Sequence, residues 1–254
     1  MRLDKFLAQS ALGKRSKVRE YIKEGKVKVN NEVVTIPAIE INEKLDIIKY
    51  LDSKVEYKEK VYYILNKPKG YITAKKDDKH KTVFDILDFN EEGIFHIGRL
   101  DKDTEGMLLF TNDGEFEHKL MDPNSHVEKT YYFWALGYLD FEKIQKLENG
   151  VLIGEDKTKP SKVKVENLGI YKEFESEISN LCNVDLNYNN QKVVSGYITI
   201  SEGKKHQVKR MLKAVDCFII YLKRVSIGKL NLDETLKVGE YRSLTEEEIN
   251  ILKS

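Results

Sequence analysis

The sequence predicts an α+β protein in two parts: a small basic N-terminal domain, then a larger domain built on a mixed, mainly antiparallel β-sheet with flanking helices. Three observations carry this. Beyond residue 60, short apolar runs are broken irregularly by helical patterns, without the regular strand–helix–strand rhythm of a parallel sheet. The first 30 residues hold nine Lys and Arg against Asp4, Glu20 and Glu24. Between the two parts, Asp52 to Lys60 (DSKVEYKEK) is charged and poor in large aliphatic residues, as a linker should be. The domains are therefore expected at 1–52 and 61–254, joined by 53–60.

In chain order, Leu3, Phe6, Leu7 and Leu12 form the apolar stripe of a first helix, which Gly13 stops. Ser16 suits the N-cap of a second helix that buries Val18, Tyr21 and Ile22 and ends at Gly25. Val27-Lys28-Val29 alternates like a strand, Asn30-Asn31 suits a hairpin turn before Val33-Val34, and Asp46 to Ile48 reads as a closing strand. About 50 residues make a marginal core. The larger domain opens on Val61 to Leu65. Strands are expected at Ile94–Ile97, Met107–Phe110, Lys129–Ala135, Val163–Val165 and Val194–Ile200. Helices are expected around Val83–Leu87, Phe116–Met121, Phe141–Leu147 and His206–Ala214.

Composition excludes several functions. No apolar run approaches about 18 residues, so no membrane span is expected, and the charged start lacks the apolar core of a secretory signal. The expected location is the cytoplasm. Cys182 and Cys217 lie far apart without Cys or His at ligand spacing, and read as buried small hydrophobes. No metal site is expected, and no glycine fingerprint of a nucleotide cofactor is present. The net charge of +1 hides a local basic face: Lys14, Arg15, Lys17 and Arg19 cluster at the turn between the first helices. Such a cluster suits phosphates, and equally suits a solvated helix face.

The run HIGRLDKDTEGMLLFTNDGE, residues 96–115, carries the chemistry. An apolar strand breaks at Gly98 into a loop displaying Arg99, Asp101, Asp103 and Glu105, and a second apolar strand follows. Loops between core strands are favoured places for sites. From pattern alone this is also a polar turn with internal ion pairs, or a carboxylate pair for acid–base hydrolysis. A metal site would need a third ligand, and none follows at suitable spacing.

Residues 2–34, with Arg2-Leu3-Asp4-Lys5, Arg15-Ser16 and Gly25-x-Val27-x-Val29-Asn30, resemble an S4 RNA-binding domain. Gly98-Arg99-Leu100-Asp101 with Thr104-Glu105-Gly106 is similar to the nucleophile motif of the RsuA/RluB-type ribosomal RNA pseudouridine synthases. Further matches are Asn66-Lys67-Pro68-Lys69-Gly70, Glu128-Lys129-Thr130-Tyr131 and Glu202 to Met211. The resemblance runs from Arg2 to about Leu252. It departs at Asp216, where the family usually has glycine, and at Met107 and Phe110, which replace leucines.

What the resemblance implies is specific. Asp101 is the catalytic aspartate, Tyr131 the active-site tyrosine and Lys209 the basic partner of the aspartate. Arg99 helps displace the target base, and Arg210 is a neighbouring RNA contact. Arg2, Lys5, Lys14, Arg15, Lys17 and Arg19 are the candidate RNA contacts of the S4 domain. The start MRLDKFLA and the segment LNKPKGYITAKKDDKHKTVFDIL look closer to the branch acting on 16S (small-subunit) RNA than to the 23S (large-subunit) branch. The expected protein is a monomer acting on ribosomal RNA or an assembling small subunit, without cofactor. The reaction breaks an N-glycosidic bond, turns the base and rejoins it through carbon, with no redox step. It requires Asp101 ionised, a form that an adjacent cation such as Lys209 favours, and a flipped-out uridine. The other reading is a non-catalytic S4-type assembly factor that only binds RNA.

Overall fold

The computed structural model describes residues 1–10, 12–56, 60–88, 93–182 and 188–254. The chain divides into two compact units, one centred on residues 1–61 and one on residues 62–254.

In the first unit, α1 (Leu3–Gln9) and α2 (Arg15–Lys23) pack against a four-stranded sheet in the order β2-β1-β3-β4: β1 (Val27–Val29), β2 (Glu32–Val33), β3 (Ile48–Tyr50) and β4 (Ser53–Lys54). Leu3, Phe6, Leu7, Val18, Ile22, Val27, Ile41 and Ile48 form the core. Asn30 and Asn31 both adopt positive φ (52° and 71°), the geometry of a two-residue hairpin turn. Three expectations need correction. The N-cap of α2 is Lys14, without a side-chain cap, so Ser16 lies inside the first turn, one residue after Arg15, whose guanidinium is drawn to Asp4. The closing strand starts at Ile48 because Asp46 is held in a turn, accepting from Asn42 N (2.8 Å) and Asn30 Nδ2 (2.9 Å). Ser53-Lys54, expected to begin a linker, pairs with β3 through a second two-residue turn, with Leu51 and Asp52 at positive φ. Residues 57–59 of the expected linker lie outside the described residues.

Asp4 is 0 % exposed and sits among three guanidiniums: Arg19 Nε at 2.7 Å, Arg2 Nη2 at 3.1 Å and Arg15 Nη2 at 3.1 Å. Burial alone would push this carboxyl up. The hydrogen bonds from Arg15, Arg19 and Arg2 outweigh it and bring it to about 2. The ordinary carboxylate value is higher, so this pairing stabilises the fold above about pH 4 and is lost as pH falls through about 2. We expect Asp4→Asn to remove on the order of 2 kcal/mol at pH 7 and to flatten the acid limb of stability. Urea midpoints measured between pH 2 and 7 check this, and a parallel acid limb in the variant would contradict it.

The second unit is built on β5 (Tyr62–Lys67), β6 (Phe95–Ile97), β7 (Glu105–Thr111), α3 (Gly114–Met121), β8 (Lys129–Leu136), α4 (Phe141–Glu148), the hairpin β9 (Leu152–Ile153) and β10 (Asp156–Lys157), β11 (Lys162–Ile170), α5 (Glu175–Leu181), β12 (Lys192–Ile200), α6 (Gln207–Lys213), β13 (Phe218–Ile227), β14 (Leu230–Asn231), β15 (Tyr241–Ser243) and α7 (Glu246–Lys253). The main sheet runs β11-β12-β8-β13-β7-β5-β15, with β14 on β13 and β6 on β7. The β11–β12, β12–β8, β8–β13 and β5–β15 pairs are antiparallel, whereas β7 and β13 are parallel. This is the mixed, mainly antiparallel sheet the sequence predicts.

One core joins β5, β7 and the β13–β14 turn to α3 and α7 through Tyr62, Met107, Leu109, Phe116, Ile227 and Leu252. A second sits around Trp134, Tyr171, Ile178, Val193 and Tyr221. Gly106 is needed where β7 meets β13: its φ is +99°, and a Cβ there would collide with the Arg224 backbone. The expected helix at 83–87 is a single 3-10 turn, Val83–Asp85, closed by a capping box from Thr82 and Asp85. Cys182 and Cys217 are buried free thiols, as expected. Among the described residues, no helix is long and apolar enough to cross a membrane.

Candidate active site

The loop between Gly98 and Glu105 owes its shape to backbone contacts. Thr104 N donates to the Asp101 carbonyl (3.1 Å), closing a tight turn. Thr73 Oγ1 donates to the Leu100 carbonyl (2.8 Å) and accepts from Leu100 N (3.0 Å). Lys67, at the end of β5, is fully buried, and its ammonium donates to the carbonyls of Thr104 (2.8 Å), Pro68 (3.0 Å) and Asp101 (3.1 Å). Burial brings this ammonium down to about 8, although Asp103, Glu105 and Asp101 pull the other way. A buried lysine thus serves as the hub of the loop's backbone.

The loop presents the Asp101 carboxyl, 27 % exposed, to the start of α6. Lys209 Nζ lies 3.4 Å from Asp101 Oδ2, and His206 Nε2 lies 3.5 Å from Asp101 Oδ1. Lys209 also donates to Asp103, at closer range. Burial pushes the Asp103 carboxyl up, but the hydrogen bond and charge of Lys209 outweigh it and leave it below the usual carboxylate range. Lys209 is therefore shared by two carboxylates, where the sequence suggested only Asp101.

The presenting turn of α6 is fixed by Gln207, which is buried. Its Nε2 donates to Glu202 Oε1 (2.6 Å), and its Oε1 accepts from Lys204 N (2.8 Å). His206 holds a left-handed backbone (φ 52°) at the helix start.

Asp101, Tyr131, Gln207, Lys209 and Leu222 line a recess of ≈ 80 Å³. This recess adjoins a wider cleft of ≈ 870 Å³ bordered by Arg99, Asp101, Lys129, Tyr131, His206 and Arg224. Such a volume is ample for a nucleotide-sized ligand. Tyr131 is 8 % exposed, part of the wall, and Arg99 is exposed at the rim.

The chain and its fold have counterparts among known proteins. The family model for RNA pseudouridylate synthase matches residues 61–214. The chain belongs to the RNA pseudouridylate synthase family. An S4 domain model matches residues 1–47. The chain is 40 % identical over 254 residues to ribosomal large subunit pseudouridine synthase B of Bacillus subtilis, covering 100 % of this chain and 96 % of that one. It is 34 % identical over 256 residues to ribosomal small subunit pseudouridine synthase A of Haemophilus influenzae, covering 99 % of both chains. A solved pseudouridylate synthase structure superimposes with a TM-score of 0.63 at 32 % identity, covering 99 % of each chain.

In this pseudouridylate synthase, Asp101, Tyr131, Lys209 and Arg99 come together at one cleft. Arg210 does not join them: its guanidinium donates to the Ile153 carbonyl on the β9–β10 hairpin, because one residue along a helix turns a side chain about 100° away. In the S4 unit, Arg2, Arg15 and Arg19 share Asp4, and Lys17 is paired with Glu20 (2.6 Å). Lys14 is exposed, and Lys5 is half-buried on α1.

Sequence reasoning missed His206 and Lys67. His206 stands three residues before Lys209, close to one helical turn, so spacing alone placed it within reach of the same partner. Lys67 gave no such signal, since a lysine in Asn66-Lys67-Pro68-Lys69 reads as exposed.

Proposed function

We propose that this chain isomerises a uridine of ribosomal RNA to pseudouridine, with Asp101 as the nucleophile or base that starts the reaction. The observation that carries the reading is a partly exposed carboxylate, 3.4 Å from a lysine ammonium, in a cleft walled by Tyr131. Such a carboxylate is reachable from the cleft, as covalent or general-base attack at the ribose or base requires. Lys209 and His206 hold it in place, and Tyr131 offers a ring for the flipped-out uracil to pack on. Arg99 at the rim suits the displaced strand. Three guanidiniums around the single Asp4 carboxylate leave that cluster with two net positive charges, which suits RNA phosphates. Such a substrate puts the protein's work in the cytoplasm, on ribosomal RNA or an assembling ribosomal particle.

The sequence favours 16S RNA of the small subunit. The 40 % identity to a large-subunit enzyme, against 34 % to a small-subunit one, favours the second reading, 23S RNA. Pseudouridine mapping of both ribosomal RNAs, with and without the protein, decides between them. The expected result is one site lost from one RNA on deletion and restored by the purified protein. Release of free uracil in place of pseudouridine would replace the isomerase with a hydrolase.

A further inference from the structure

Two buried cations at the floor of the cleft have no acidic partner among the described residues. Arg224 lies on β13 opposite Tyr131, and Lys129 lies two residues before Tyr131 on β8, so the three side chains share one face of the sheet. Arg224 is 2 % exposed and Lys129 9 %. Arg224 Nε donates to the Met107 carbonyl (2.7 Å), and Lys129 Nζ to the Val127 carbonyl (3.2 Å). Arg224 Nη2 is buried without a hydrogen-bond partner among the described residues. Of the carboxylates lining the cleft, Asp101 is engaged by Lys209 and His206, and Glu117 makes no ion pair with either cation. Burial, then repulsion from Arg224, brings the Lys129 ammonium down to about 8. Like charges buried side by side destabilise the unliganded protein, so the arrangement calls for an electron-rich ligand.

We propose that Lys129 and Arg224 receive the carbonyl edge of the extruded uracil and carry its negative charge while it is detached from ribose. This rests on the isomerase reading. When C1′–N1 breaks, the electron pair stays on the base and its charge spreads from N1 onto O2 and O4. The new C5–C1′ bond takes an electron pair from the ring, after which the C5 proton leaves and N1 gains one. Cations placed where charge develops stabilise that state more than the neutral nucleoside. Depth separates this role from phosphate binding: Arg99, Lys102 and Lys205 are exposed and suit the RNA backbone, whereas the buried pair shares the sheet face of Tyr131.

The test compares wild type, Lys129→Met and Lys129→Arg in three measurements: single-turnover tritium release from C5-labelled ribosomal RNA transcript, RNA Kd at two salt concentrations, and thermal midpoint. Lys129→Met should slow turnover by about 10²-fold, leave Kd within about twofold, and raise the thermal midpoint because a buried unpaired charge is gone. Lys129→Arg should recover most of the rate. Weakened, less salt-sensitive binding with an unchanged rate would make Lys129 a phosphate contact and overturn the proposal. So would a lowered midpoint in Lys129→Met, or a Lys129→Arg enzyme as slow as Lys129→Met. An active wild type with an unaffected Lys129→Met enzyme overturns this inference alone. A wild type that forms no pseudouridine overturns the isomerase reading beneath it.

Discussion

Replacing Asp101 by Asn is expected to lower turnover by about 10⁴-fold while leaving RNA affinity within about twofold. Losses of that size follow removal of a group that forms or breaks bonds in the transition state. Asn keeps the shape and can still meet Lys209, so the loop should hold its place. It has neither the charge to attack nor the basicity to accept a proton. Single-turnover tritium release measured beside filter binding separates the two effects. A variant within tenfold of wild type would remove Asp101 from the chemistry, and one that lost RNA binding equally would make it a structural residue.

The second large effect is expected at Lys67, which touches no substrate. Lys67→Met should destabilise the protein by about 3 kcal/mol, because the carbonyls of Pro68, Asp101 and Thr104 lose a buried donor. The protein that still folds should turn over about 10²-fold more slowly, since a misplacement of about 1 Å at the nucleophile has that consequence. Denaturant midpoints and turnover, measured on the same preparation, test both parts. A stable, fully active Lys67→Met enzyme would show that the loop needs no such hub.

Much of this architecture is legible in the sequence, for identifiable reasons. Apolar runs and helical patterns mark β8, β12, α3 and α4 to within a residue or two, because the strands are largely buried and each helix buries one stripe. The hairpin at Asn30-Asn31 is legible because few residue types tolerate left-handed backbone. The hairpin at Leu51-Asp52 is not, because leucine rarely adopts left-handed backbone; here Leu51 N donates to the Lys26 carbonyl (3.0 Å) while its side chain is exposed. Asp216, the departure from the family's glycine, has φ 58°, so the backbone keeps the turn a glycine would favour. Asp101, Tyr131 and Lys209 can be picked out by motif. Whether Lys209 serves one carboxylate or two, and that Arg210 turns away, depends on tertiary contacts that spacing does not encode. Buried cations are the hardest to read: Lys67, Lys129 and Arg224 carry the residue types of a surface and the environment of a core.

The parallel step between β7 and β13 ties the site to the order in which the chain is made. A parallel neighbour cannot be reached through a tight turn, and Glu105 must wait for Lys223 before the pair exists. Contacts so distant in sequence form slowly and late. The loop carrying Asp101 leads directly into that pair, and α6 must also emerge and dock before its lysine can face the loop. The helices and strands of the first unit, by contrast, are all complete by Lys54, so its contacts are available long before the Asp101 loop has its parallel partner.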